Sequence, residues 1–162
     1  MFRQKVPAVT VVGVSGAVGA VGAADAADGR AVQVLSPLAL RSTAALLALG
    51  VAVVHVADQG GITSFNSPAW LGWSFRLIEV GGVLTALVLL LPRSGRLGWA
   101  AGVLVGLGPF LGYLATRSIG LPGDPGDVGD WGYWVGTVSL IIEAALIVLS
   151  VAALMAQRRR PA

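Results

Sequence analysis

Four long apolar runs, separated by short polar stretches, organise the chain: residues 37–56, 69–91, 97–115 and 131–156. Crossing the hydrocarbon core of a bilayer takes about 20 helical residues, and each run meets or nearly meets that length. Lipid does not tolerate exposed peptide groups, so such runs default to helices, and their lengths do not suit a membrane barrel. The predicted fold is therefore all-α, a polytopic transmembrane four-helix bundle with short loops. Ser36-Pro37 and Ser67-Pro68 read as starts of the first two helices, each a capping residue ahead of a proline that has no first-turn amide to leave unpaired. Only Pro92, Arg93, Ser94, Gly95 and Arg96 separate the second run from the third, which makes those two helices an antiparallel hairpin.

Composition agrees with one membrane-embedded domain. Of 162 residues, 56% are hydrophobic and only 12% charged, with a mean hydropathy of +0.82, too little polar surface for a soluble domain of this size. The absence of cysteine excludes disulfides, thiol chemistry and iron–sulfur ligation and leaves the redox compartment unread. The net charge of +3 calls for no nucleic-acid partner, because Arg93, Arg96, Arg158, Arg159 and Arg160 read as topology signals. By the positive-inside rule, the hairpin turn and both termini face the cytoplasm of a multi-pass plasma-membrane protein. The loops DQGGITSFNSP and GLPGDPGDVGD then face outward. Trp70 and Trp73 open the second run and Trp131, Tyr133 and Trp134 the fourth, where an outer aromatic belt is expected, and Trp99 is placed to serve the inner interface.

Residues 1–35 form a Gly/Ala-rich extension outside the four-helix domain of residues 36–157, and residues 158–162 form a basic cytoplasmic tail. The basic start followed by Ala, Val, Gly and Ser also fits a signal peptide or a fifth span. The topology and the high glycine content favour a disordered or loosely helical cytoplasmic extension.

Charge inside the apolar runs is one-sided. His55, Asp58, Arg76, Glu79, Arg117 and Glu143 all fall toward the end that carries the long loops, joined there by Tyr113, whereas Arg41 is the single charge within a run at the other end. A charged side chain near a bilayer centre costs at least about 2.5 kcal/mol, so each must be solvated, paired or neutral. The simplest pairings set Arg76 against Glu79 or Glu143 and Arg117 against Asp58 or Asp130; comparable depth favours Arg76 paired across the bundle with Glu143, with Glu79 completing the network. The same residues outline a candidate ligand or ion pocket. Ion pairs that only fix helix packing, and arginines that reach out to headgroups, are the architectural alternative. With one histidine and no cysteine, a bis-histidine haem is excluded, and no cofactor or metal is predicted.

Gly98, Gly102 and Gly106 recur every fourth residue in the third run, and Gly108 and Gly112 extend the small-residue theme, a face for close helix packing on which a second copy or another membrane protein could also pair. Pro109 in the same run points to tight packing or a kink. Beyond it, GYLATRSIGLPGDPGDVGDWGYW, residues 112–134, is the most distinctive stretch. Gly120 and Gly123 permit a tight turn around Pro122, which would fold the loop over the bundle mouth as a cap together with Asp127, Asp130 and Trp131. Asp124, Asp127 and Asp130 lack the ligand count of a calcium loop and read as a solvated acidic surface.

Tyr113, Arg117, the Gly120-Leu121-Pro122-Gly123 turn, Asp127 or Asp130, and Trp131, in this span order, resemble an uncharacterised group of small four-span integral membrane proteins of actinobacterial type. The resemblance covers roughly residues 40–155 and implies a fold and a membrane location without an activity.

Two classes of function follow. In one, the outward-facing polar pocket binds or conducts a small solute, ion or proton, with Glu79 and Glu143 as exchangeable carboxylates and Arg76 or Arg117 facing anions. In the other, the chain is a non-catalytic structural or accessory subunit whose loops and glycine face dock other chains. Catalysis ranks third, since acid–base work by His55 with Glu79 has no nucleophile or metal set behind it. No internal repeat is visible, so a solitary alternating-access transporter is disfavoured and transport would require oligomers or partners.

Overall fold

The computed structural model describes residues 37–158. The expectations for the N-terminal extension, for Ser36 and for Arg159 and Arg160 lie outside the described residues. Four helices follow one another: α1 (Pro37–Asp58), α2 (Ala69–Leu90), α3 (Gly95–Ser118) and α4 (Trp134–Arg158). All four are long and apolar enough to cross a membrane, and with no strand among the described residues the chain is an all-α, multi-pass membrane bundle.

The helices form an up-and-down square. Each packs on its chain neighbours, α4 closes the ring against α1, α1 and α3 touch lightly across the diagonal, and the α2 and α4 backbones stay apart. Large aliphatic side chains point outward, with Leu46, Leu77, Leu104 and Val148 each about 70% exposed, while the inner face of α1 is Ala44, Ala45, Ala48, Val51 and Ala52. This inverted distribution suits lipid, which is as apolar as leucine, so that small residues drive contact by letting backbones approach. A methyl group at Gly82 of α2 would stand 2.7 Å from the Ala48 carbonyl oxygen, and one at Gly106 of α3 would stand 2.8 Å from Ile147 and 3.1 Å from the Glu143 carbonyl oxygen.

Several helix boundaries and roles differ from the sequence reading. α1 runs on to Asp58, and α3 takes in Gly95 and Arg96 at its start and Ser118 at its end. Trp131 and Tyr133 belong to the loop before α4, where glycines interrupt the apolar run. Ser67 does not cap α2: Pro68 is the capping residue, with extended backbone, and its carbonyl accepts from the Leu71 and Gly72 amides. Trp99 is buried in the core beside Leu89 and Leu146, not at an interface. Arg41 finds its purpose at the hairpin, where its Nη1 donates to the Leu91 carbonyl at 2.7 Å and to Ser94 Oγ at 3.2 Å, tying α1 to a helix end whose carbonyls lack partners. Of the glycines expected to pack, Gly98 and Gly102 meet Leu89 and Ser150 and Gly106 meets α4. Gly108 and Gly112 do not: a methyl group on either would find nothing within 4 Å, and both face a cavity.

Candidate functional site

At the loop end, all four helices contribute to one cavity of about 710 Å³. It exists because the α2 and α4 backbones do not meet and because α3 presents hydrogen atoms, not side chains, at Gly108 and Gly112. α1 contributes Val54, His55 and Asp58; α2 contributes Leu71, Phe75 and Ile78; α3 contributes Pro109, Tyr113 and Arg117; α4 contributes Gly136, Ser139 and Glu143. Leu121, Asp124, Asp127 and Asp130 line it from the loop. A second, shallower groove at the hairpin, bounded by Val88, Leu97 and Arg93, contains no buried ionisable group.

Glu143 forms the deep end, about 13 Å along α4 at 1.5 Å per residue. It is only 1% exposed. Ser139, one turn earlier, donates to its Oε1 at 2.5 Å, while its Oε2 has no protein partner. His55 stands opposite, its Nε2 3.8 Å from Glu143 Oε1. The other ring nitrogen, Nδ1, lies 2.8 Å from the Val51 carbonyl oxygen. A carbonyl only accepts, so Nδ1 carries the hydrogen, and Nε2 bears one only when the ring is cationic. Phe75 packs on the imidazole with ring centres 5.3 Å apart.

The acidic loop folds back over the mouth. Gly120 and Gly123 hold φ of 75° and 79°, giving the turn around Pro122 that the sequence suggests. Trp70 Nε1 donates to the Pro122 carbonyl at 3.2 Å, and the Gly129 amide to the Arg117 carbonyl at 2.9 Å. Buried Arg117 pairs with Asp127 at 2.8 Å and also donates to that residue's carbonyl at 3.2 Å. Its guanidinium lies 5.0 Å from the centre of the Tyr113 ring and 5.5 Å from that of Tyr133, and Trp131 meets Tyr113 edge-on. Tyr133 OH donates to Asp58 at 2.7 Å, which pushes the phenol up to about 12 by stabilising its protonated form.

Arg76 and Glu79 lie elsewhere. Neither lines the cavity. Arg76 Nη1 donates to Glu79 Oε2 at 2.6 Å, its Nη2 donates to the Ile62 and Ser64 carbonyls at 2.5 Å each, and Gln59 Nε2 donates to Glu79 Oε1 at 2.7 Å. The cross-bundle pair of Arg76 with Glu143 therefore does not form. An arginine three residues before a glutamate meets it on its own helix face, and the remaining donors reach the nearby α1–α2 loop. Arg117 likewise pairs with Asp127 in place of Asp58 or Asp130, because the folded loop brings Asp127 beneath it.

Sequence reasoning overlooks Gln59, Phe75 and Ser139 and gives Tyr133 a place in the aromatic belt without its bond to Asp58. Ser139 and Glu143 are four apart on one helix, a spacing that signals a hydroxyl placed beneath a carboxylate. Nothing local marks Gln59 or Phe75. No metal-binding cluster of His, Asp and Glu occurs among the described residues. No family model, no curated protein and no solved structure matches the chain.

Proposed function

We propose that this multi-pass protein presents its cavity to the outer side of a plasma membrane and there binds a small solute, with the hairpin turn and both termini in the cytoplasm. The observation that carries the reading is Glu143: a carboxylate 1% exposed, facing a cavity of about 710 Å³, with one oxygen unpartnered by protein. Burying such a group without full pairing is costly, and an architectural ion pair has no need of an adjoining cavity. The Arg76–Glu79–Gln59 cluster, by contrast, pairs both Glu79 oxygens, lies outside the cavity and anchors the α1–α2 loop. The order of the spans and the Tyr113 to Trp131 stretch also suit the small actinobacterial four-span group that the sequence resembles, which brings no activity with it.

The test is solvent access. Thr116→Cys and Ser139→Cys place thiols on the lining, and Ala48→Cys places one in the core. The cavity thiols should react with a small water-soluble thiol reagent added from outside sealed vesicles while the core thiol stays inert. Unreactive lining thiols would overturn the pocket. The second reading, an accessory subunit, draws on the exposed Ile62 and Ile119 at the loop end, 76% and 82% exposed. Co-purification of one stoichiometric membrane partner, lost on Ile62→Ser with Ile119→Ser, would favour it.

A further inference from the structure

The cavity lining reaches the outer surface of the bundle at Leu77. Toward the hairpin α2 and α3 pack closely, with methyl positions on Gly98 and Gly81 lying 3.3 Å from Leu89 and 3.4 Å from Val105. Toward the loop end that contact is lost: nothing lies within 4 Å of the methyl positions on Gly108 and Gly112. Leu77 of α2, which lines the cavity, is 74% exposed on the lipid-facing surface. By helical rise Leu77 lies about 12 Å below the start of α2, a depth comparable to that of Glu143. Leu77, Ile78, Gly108, Pro109 and Gly112 wall the cavity at this depth, where the surroundings of a membrane-spanning bundle are hydrocarbon.

The polar lining sets the sign of the charge that a ligand carries. Five acidic side chains, Asp58, Asp124, Asp127, Asp130 and Glu143, line the cavity, against Arg117 and His55. Arg117 is committed to Asp127, and Asp58 accepts from Tyr133. Three buried polar atoms on the lining lack a protein partner: Tyr113 OH and Arg117 Nε on α3, and Glu143 Oε2 at the deep end, next to a histidine whose single fixed hydrogen points away to Val51. Facing Glu143 are His55 from α1, apolar Phe75 and Ile78 from α2, and Tyr113 and Arg117 from α3, with Asp124, Asp127, Asp130 and Tyr133 nearer the mouth. An anion would meet a net negative wall. An ammonium supplies a donor to Oε2 once that oxygen is deprotonated, and Phe75, Ile78 and Pro109 receive the apolar part.

We propose that the cavity accepts an amphiphilic ammonium from the bilayer between α2 and α3 and seats it on Glu143 in exchange for a proton. This rests on the pocket reading above. The exchange starts from the protonated acid: the O–H bond at Oε2 breaks, the proton leaves for water at the mouth, an N–H···O bond to Oε2 takes its place, and the net charge of the site is unchanged because one cation has replaced one proton. The ammonium can come from a free amine or from an amino-lipid headgroup.

The full chain in an uncharged detergent is titrated with naphthylethylammonium, naphthylethanol and naphthylacetate, which share one fluorescent body and differ in charge. The ammonium should bind about tenfold or more tightly than the alcohol, the acetate more weakly than either, and one proton should be released per ammonium bound. Affinity for the ammonium should fall as pH is lowered. Glu143→Gln should abolish the preference over the alcohol. Gly112→Phe, which touches no carboxylate, should slow association of the ammonium from vesicles; each variant is first shown to be folded by size exclusion. Displacement by phosphatidylethanolamine but not phosphatidylglycerol would assign the ammonium to a lipid headgroup, and no displacement would assign it to a free amine. Equal or tighter binding of the acetate, or an ammonium preference that survives Glu143→Gln, would overturn the ammonium assignment while reactive Thr116→Cys and Ser139→Cys kept the pocket. Binding of none of the three probes would overturn the assignment as well, and unreactive lining thiols would remove the pocket itself.

Discussion

Replacing Arg76 by methionine tests whether the loop-end charges form two separate clusters. The substitution keeps the apolar stem and removes the ion pair to Glu79 at 2.6 Å and the two hydrogen bonds to the Ile62 and Ser64 carbonyls. Removing one partner of a buried pair costs about 3–5 kcal/mol, chiefly through the charge left behind. Here the Glu79 side chain is 9% exposed and would keep only Gln59 as a donor, but the Arg76 side chain is 23% exposed, so the pair is only partly buried. The expected loss is therefore about 2–3 kcal/mol. Arg76→Met with Glu79→Met should cost less than the sum of the single changes, by a coupling of about 1–2 kcal/mol. The assay is reversible unfolding in mixed micelles of neutral and anionic detergent, followed by tryptophan fluorescence. Arg76→Met with Glu143→Gln should instead be additive within about 0.5 kcal/mol, because the two residues share no partner. A loss below about 1 kcal/mol for Arg76→Met, or coupling of Arg76 to Glu143 in place of Glu79, would refute the reasoning.

Gly106→Ala should destabilise the bundle by about 1–3 kcal/mol through the clash with Ile147 and the α4 backbone, whereas Gly112→Ala should be neutral or slightly stabilising in the same unfolding assay. Tyr133 should give stability an alkaline limb: its folded pKa, pushed up to about 12, exceeds the unfolded value near 10, so the contribution is complete below pH ~10 and lost as pH rises toward 12. Tyr133→Phe should remove that limb from the dependence of the unfolding midpoint on pH. Single cysteines at Ser94 in the hairpin and Gly126 in the acidic loop should be labelled by a membrane-impermeant thiol reagent from opposite sides of sealed vesicles, the hairpin from the cytoplasmic side; reversed labelling would invert the proposed topology.

The spans, their antiparallel order and the gathering of charge at one end were legible in the chain because each depends on local quantities. Hydropathy summed over a window decides whether a segment can cross lipid, and a five-residue link decides that two helices form a hairpin. The turn of the loop around Pro122 was legible for the same reason, since glycine on either side of proline specifies local backbone geometry. The pairings were not. Arg76 could reach Glu79 on its own helix or Glu143 across the bundle, and the choice turned on the Ile62 and Ser64 carbonyls of a loop that becomes a neighbour only on folding. Gly102 and Gly112 carry the same residue type on the same helix, yet one packs on Ser150 and the other borders a cavity.

By itself, then, the sequence determined that four apolar helices cross a membrane and that their ionisable groups collect toward one end. The tertiary structure alone decided that Glu143 faces His55 and a cavity while Arg76 closes on Glu79. Helices that are apolar on every side carry little amphipathic signal for their inward face, so rotation about each axis is settled only when small residues such as Gly82 and Gly106 meet a neighbouring backbone.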